Sequence, residues 1–93
     1  MLSDIPKNLD KVGKENIDRE ILRAGMIAEL DAVSLYEQLA AMAQSEDIKK
    51  ILLDVAKEEK THVGEFLTLL EGIDKEQVEE LAAGKKEVEE ELE

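Results

Sequence analysis

Cysteine and tryptophan are absent from this 93-residue sequence, and proline, tyrosine, phenylalanine and histidine occur once each, at Pro6, Tyr36, Phe66 and His62. Without cysteine there is no disulfide, no thiolate metal site and no redox dithiol. With aromatics at 2% of residues, packing must come from Leu, Ile, Val, Ala and Met. No apolar run approaches the ~20 residues that a membrane-spanning helix needs. The opening Met1-Leu2-Ser3-Asp4-Ile5-Pro6 lacks the basic and apolar regions of a secretory signal. A cytoplasmic location with no membrane partner is expected. Positive charge is also scarce: 12 Lys and Arg stand against 24 Asp and Glu, a formal charge of −12. Nucleic acid is therefore not an expected partner, because the backbone contribution to binding would be repulsive. Small cations are favoured instead, since an acidic surface raises their local concentration.

What is present is helical patterning. Residues 1–15 hold Pro6 and Gly13 without a sustained period and read as an irregular N-terminal arm. Asn16 suits an N-cap, with Asp18 in the first turn where the helix dipole favours it. A first helix is expected from Ile17 to about Gln44, interrupted by nothing but Gly25, which costs about 1 kcal/mol relative to Ala and permits a close helix contact. Ser45-Glu46-Asp47 forms the turn, and Ser45 can cap a second helix running to about Glu71, with Gly72 at its C-terminal end. Asp74 followed by Gln77 resembles a capping box that opens a short third helix ending at Gly84, and Lys85 to Glu93 reads as an acidic tail. The organisation expected is an arm over 1–15, a helical hairpin over 16–73, and a short helix with its tail over 74–93. The fold class is all-α.

Both long helices carry a heptad seam. In the first, Leu22, Met26, Glu29, Val33, Tyr36, Ala40 and Ala43 follow a four–three spacing; in the second, Ile48, Leu52, Val55, Glu59, His62, Phe66, Leu69 and Ile73 do the same. That spacing marks one stripe facing a partner helix. Apart from the Tyr36 phenol, the ionisable groups in the stripes are Glu29, Glu59 and His62. Burying a carboxylate is costly unless it is paired or holds a metal. In an antiparallel hairpin turning near Ser45, Glu29 and His62 lie level, and Glu59 is about one turn away. Three potential metal ligands therefore converge at one height of one interface. The alternative is a structural Glu–His cluster that satisfies itself by hydrogen bonding.

Glu58 also stands at helical spacing from His62, but off the seam, and reads as a supporting or rim residue. Asp31 and Glu65 are candidates for attracting incoming cations, against the plainer reading of a solvated face. Tyr36, two turns beyond Glu29, either orients a liganding carboxylate or is a core aromatic. Both helices are apolar over more than one seam, so at least a dimer is expected. One hairpin supplies two carboxylates and one imidazole, half the donor set of a di-iron carboxylate bundle. Two copies about a two-fold axis would complete it between chains.

The segments Ile27-Ala28-Glu29-Leu30-Asp31-Ala32, Leu35-Tyr36-Glu37-Gln38 and Ile51-Leu52-Leu53-Asp54-Val55-Ala56-Lys57-Glu58-Glu59-Lys60-Thr61-His62 resemble the encapsulated ferritins, across residues 17–73. The resemblance implies a ferritin-like four-helix bundle formed by dimerisation. It implies a ferroxidase that oxidises Fe(II) to Fe(III) with oxygen at a di-iron site between two chains, for iron storage inside an encapsulin nanocompartment. It further implies a homodimer closing into a homodecamer, with the encapsulin shell protein as partner. The family's ligands fall on Glu29, Glu59 and His62, its site-proximal tyrosine on Tyr36, and an acidic position implicated in metal uptake on Asp31. Where some members have Trp before that tyrosine, this sequence has Leu35, and Val88 to Glu93 does not resemble the usual shell-targeting peptide. That departure fits either excision from a fusion to the shell protein or another route to the shell. The donor set leaves Mn and Zn as alternatives to Fe. Rival readings are a rubrerythrin-like di-metal peroxidase or oxidase, which lacks a cysteine-based electron-transfer site here, and a non-enzymatic structural helical oligomer.

Overall fold

The computed structural model describes residues 13–93, so the expected N-terminal arm lies outside the described residues except at its end. There a single 3-10 turn, Lys14–Asn16, leads into α1 (Ile17–Met42), α2 (Glu46–Ile73) and α3 (Lys75–Glu91). Among the described residues there is no strand, and the all-α expectation is borne out.

Each boundary has a local cause. Asn16 occupies the N-cap position of α1, but its side chain makes no capping bond; Asp18 and Glu20 fill the first turn instead. The helix ends at Met42, two residues short of Gln44, where Ala43 turns extended and its N–H donates to the Leu39 and Ala40 carbonyls at 3.0 and 3.3 Å. Ser45 caps α2 as expected, its hydroxyl accepting from the Ile48 N–H at 3.3 Å. Gly72 does not end α2. The helix passes through it to Ile73, and Asp74 is the boundary residue. Asp74 serves both neighbours: its N–H donates to the Leu70 carbonyl at 2.9 Å, and its Oδ1 accepts from the Gln77 N–H at 3.1 Å. Nor does Gly84 end α3, which runs 17 residues to Glu91 and absorbs the stretch expected to be a tail. Neither glycine is in the left-handed region, as no described residue has positive φ. Both stand in open space and simply continue their helices at the modest cost of a helical glycine.

α1 and α2 form an antiparallel hairpin. Glu37 meets Lys60, Glu29 meets His62 and Gly25 meets Phe66, so partners on α2 rise in number as those on α1 fall. The buried apolar residues are few: Val33, Ala40, Ala56 and Leu70. Arg23 fastens the base of α3 by bridging Glu20 at 3.0 Å and Asp74 at 3.3 Å. Much of the apolar pattern remains uncovered. Ile48, Leu69 and Ile73, all seam residues, are 56%, 61% and 58% exposed. A hairpin alone does not bury the faces its own sequence makes apolar.

Candidate metal centre

Glu29 projects from the middle of α1, and Glu59 and His62 from one face of α2. The i, i+3 spacing puts the last two side by side on one helix. The hairpin register then brings Glu29 to them across the interface. His62 Nδ1 lies 3.3 Å from Glu29 Oε2 and 3.4 Å from Glu59 Oε2. One ligand atom from each of the three residues lies within 4.8 Å of the others. The carboxylates are mostly covered, at 20% and 18% side-chain exposure, while the imidazole is 44% exposed.

The electrostatics of this arrangement are one-sided. Neither carboxylate is met by Lys or Arg among the described residues: Lys60 pairs with Glu37, Lys49 with Glu46, Lys86 with Glu90, and Arg23 with Glu20 and Asp74. The imidazole alone stands between the two acids. A neutral ring has one N–H, and Nδ1 offers at most one hydrogen for two acceptors. Both separations exceed the roughly 2.7–2.9 Å of a strong charge-assisted bond. The donor set fits a divalent cation on chemical grounds: carboxylate oxygen and imidazole nitrogen suit Fe(II), Mn(II) and Zn(II). The spread of the three atoms is close to what bonds of about 2.0–2.2 Å to one ion require.

A cleft of about 430 Å³ opens beside the cluster, lined by Glu29, His62, Glu65, Phe66 and Leu69. Glu65 is thus at the mouth of the site and exposed. Glu58 is also exposed and stands outside the cluster. Asp31 departs from the solvated-face reading: it is the buried charged residue, at 8% exposure, and it is engaged with other groups of the protein. Tyr36 is half-buried on the seam, and no hydrogen bond of its hydroxyl is found among the described residues. Phe66 was read only as a seam residue from the sequence. Its place beside the cluster follows from the heptad spacing, one turn after His62.

The rubrerythrin family profile matches residues 20–93. The chain belongs to the rubrerythrin family. The crystal structure of the encapsulated ferritin domain from Pyrococcus furiosus superposes with a TM-score of 0.82 at 53% identity, covering 97% of this chain and 94% of that one. On that likeness the chain is also one of the encapsulated ferritins. A ferritin-like–encapsulin shell fusion protein of Pyrococcus furiosus is 55% identical over 83 residues, 89% of this chain and 24% of that protein. The chain therefore spans about a quarter of the fusion protein's length. Among the described residues, no helix of this rubrerythrin-family chain is long and apolar enough to cross a membrane.

Proposed function

We propose that this encapsulated ferritin is a ferroxidase, taking Fe(II) as substrate at Glu29, Glu59 and His62 and passing the electrons to oxygen. The observation that carries the reading is the convergence of two carboxylates and one imidazole, without a compensating Lys or Arg, on one point of the hairpin seam. Two acids that share a single imidazole nitrogen are costly at partly covered positions, and a divalent cation between them relieves that cost. Iron supplies the one-electron chemistry. The protein's part is to hold carboxylate oxygens and an imidazole nitrogen at fixed separation while leaving His62 open to the cleft.

One chain offers three ligands, half of the four carboxylates and two imidazoles that a di-iron bundle uses. A second copy related by a two-fold axis would complete the set, and Glu29, Glu59 and His62 of both copies are the residues that would hold the two ions. The apolar surface left exposed on α1 and α2 supports that pairing. Larger even-numbered rings, a decamer among them, are compatible with the same dimer. The narrow hairpin has no interior for mineral, so oxidised iron would be stored outside it. The fusion relative supports an encapsulin shell as the partner, and on this reading a cytoplasmic encapsulin compartment is the place of storage.

The test is anaerobic Fe(II) loading of the metal-free protein followed by exposure to air. A ferric absorption band and uptake of about one iron per chain are expected. Protein that neither binds nor oxidises Fe(II) would leave a structural Glu–His cluster. The rubrerythrin profile match favours one rival chemistry, peroxide reduction at the same ligands. Turnover measured in parallel with oxygen and with peroxide separates the two.

A further inference from the structure

Gly25 lies one helical turn before Glu29 on α1, and Phe66 lies one turn after His62 on α2. In the antiparallel hairpin they are the next contact along from the Glu29–His62 pair. A β-carbon added to Gly25 would stand 3.3 Å from Phe66 Cε2 and 3.4 Å from Cδ2 and Cζ. Carbon atoms prefer roughly 3.5–4.0 Å. The ring therefore packs against α1 at Gly25 closely enough that an added β-carbon would displace it, or the helix, by a few tenths of an ångström. The same ring lines the cleft beside Glu29 and His62. Gly64, also helical and two residues from His62, is different: nothing lies within 4 Å of a β-carbon there.

We infer that Gly25 and Phe66 are positioning residues for the metal centre: their close contact sets how near the Glu29 carboxylate comes to the His62 ring nitrogen. This role rests on the metal-binding reading proposed above. Glu59 and His62 share a helix, and local geometry fixes their separation. Glu29 comes from the other helix, and the interhelical spacing one turn away governs its distance to His62. Metal–ligand bonds tolerate only about ±0.2 Å. A displacement of a few tenths of an ångström is what a methyl group at Gly25 imposes on the ring or the helix.

The experiment is a Co(II) titration of the full-length metal-free protein, followed by the visible absorption of the bound ion, with circular dichroism and thermal melting alongside. G25A is expected to keep its helical spectrum and bind Co(II) about tenfold more weakly, the scale typical of outer contacts that orient ligands. G64A gains the same helix propensity in open space and should bind as the wild type does. G25A/F66L should recover most of the lost affinity, because the shorter side chain yields the space the added β-carbon takes. Wild-type affinity in G25A, or equal weakening in G64A, overturns the positioning role. Should G25A fail to fold, F66A carries the test: it leaves Gly25 unstrained and removes the spacer, and undiminished Co(II) affinity there overturns the role. A wild-type protein that binds no Co(II), with E29A indistinguishable from it, overturns the metal reading itself and this role with it, a pattern distinct from selective loss in G25A.

Discussion

His62 stands between two acids and cannot serve both, because Glu29 Oε2 and Glu59 Oε2 approach the same ring nitrogen at 3.3 and 3.4 Å. As a purely structural device this is poorly made: one donor, two acceptors and no basic neighbour. As a ligand set it needs only a cation to become fully satisfied. Glu29→Ala, Glu59→Ala and His62→Ala are therefore expected each to suppress Fe(II) oxidation by more than the roughly 10–100-fold that loss of an outer partner costs. In a site shared between two copies each change removes two ligands. Glu58→Ala, an exposed position outside the cluster, should lower the rate by less than about threefold. Stopped-flow absorbance after mixing with Fe(II) in air reads all four, and Glu58→Ala emerging as the more damaging change would put the ligand set elsewhere on α2. Tyr36→Phe offers a finer reading. With no hydrogen bond to its hydroxyl among the described residues, the change should leave the melting temperature of a metal-free chain within about 2 °C of wild type. A slower oxidation rate in that variant would show that the phenol acts on the site from a neighbouring copy.

At the level of elements, Asp74 is the joint on which α3 turns. Its carboxylate caps α3 through Gln77 and meets Arg23 of α1, and at 11% exposure it is far better covered than the 42% exposed arginine. The two roles separate by substitution. Asp74→Asn keeps a capping oxygen and loses the ion pair, which at a half-exposed arginine is worth no more than about 1 kcal/mol. Asp74→Ala loses the cap as well, a further ~1 kcal/mol. Urea unfolding and limited proteolysis near residue 74 should therefore rank wild type, Asp74→Asn and Asp74→Ala in falling order; equal behaviour of the two variants would mean the cap contributes nothing. Gly84→Ala should run the other way and stabilise α3 by up to about 1 kcal/mol, since the helix passes through it in open space. The joint also shows where sequence patterning reaches and where it stops. The Ser45 cap, the Asp74–Gln77 cap and the level placement of Glu29 and His62 are legible, because each rests on spacing within a helix or on one short turn; the α2 seam is legible only in its middle, since Ile48, Leu69 and Ile73 are exposed and the buried Ala56 and Leu70 lie one position off it. The ends at Gly72 and Gly84 were misread. A glycine stops a helix by turning left-handed, and its mere presence does not force that when the cost of continuing is small. The burial of Asp31 and the seating of the Phe66 ring on Gly25 were beyond reach too, because both depend on how closely two helices approach. Periodicity says which faces meet, not at what distance.

The described residues do not by themselves form a compact globule. Its radius of gyration is 16.5 Å, against about 12 Å for a compact domain of this length. The extents of 46 × 44 × 20 Å describe a flat body with α3 leaving the hairpin. A chain of this shape, with Leu30, Ile51, Leu69 and Ile73 each more than half exposed, leaves in water the apolar surface that drives association. Two forces then act on assembly, and they are separable. Apolar burial favours association whether or not metal is present. Metal shared between copies adds a second contribution, because an ion that needs ligands from two chains binds the dimer and not the monomer. By mass action that stabilises the dimer by about 2.7 kcal/mol when free metal is one hundred times its dissociation constant. Dilute metal-free protein should therefore move towards even-numbered assemblies when Fe(II) is added anaerobically, and His62→Ala should blunt the response while leaving association at high protein concentration intact. Native mass spectrometry across a dilution series, with and without Fe(II), gives the populations directly. An iron-loaded monomer stable to dilution would refute the shared site, since three ligands from one chain do not complete a di-iron set. Odd-numbered assemblies that gain nothing from Fe(II) would show instead that the apolar faces alone set the oligomer and that each Glu29–Glu59–His62 cluster works within its own chain.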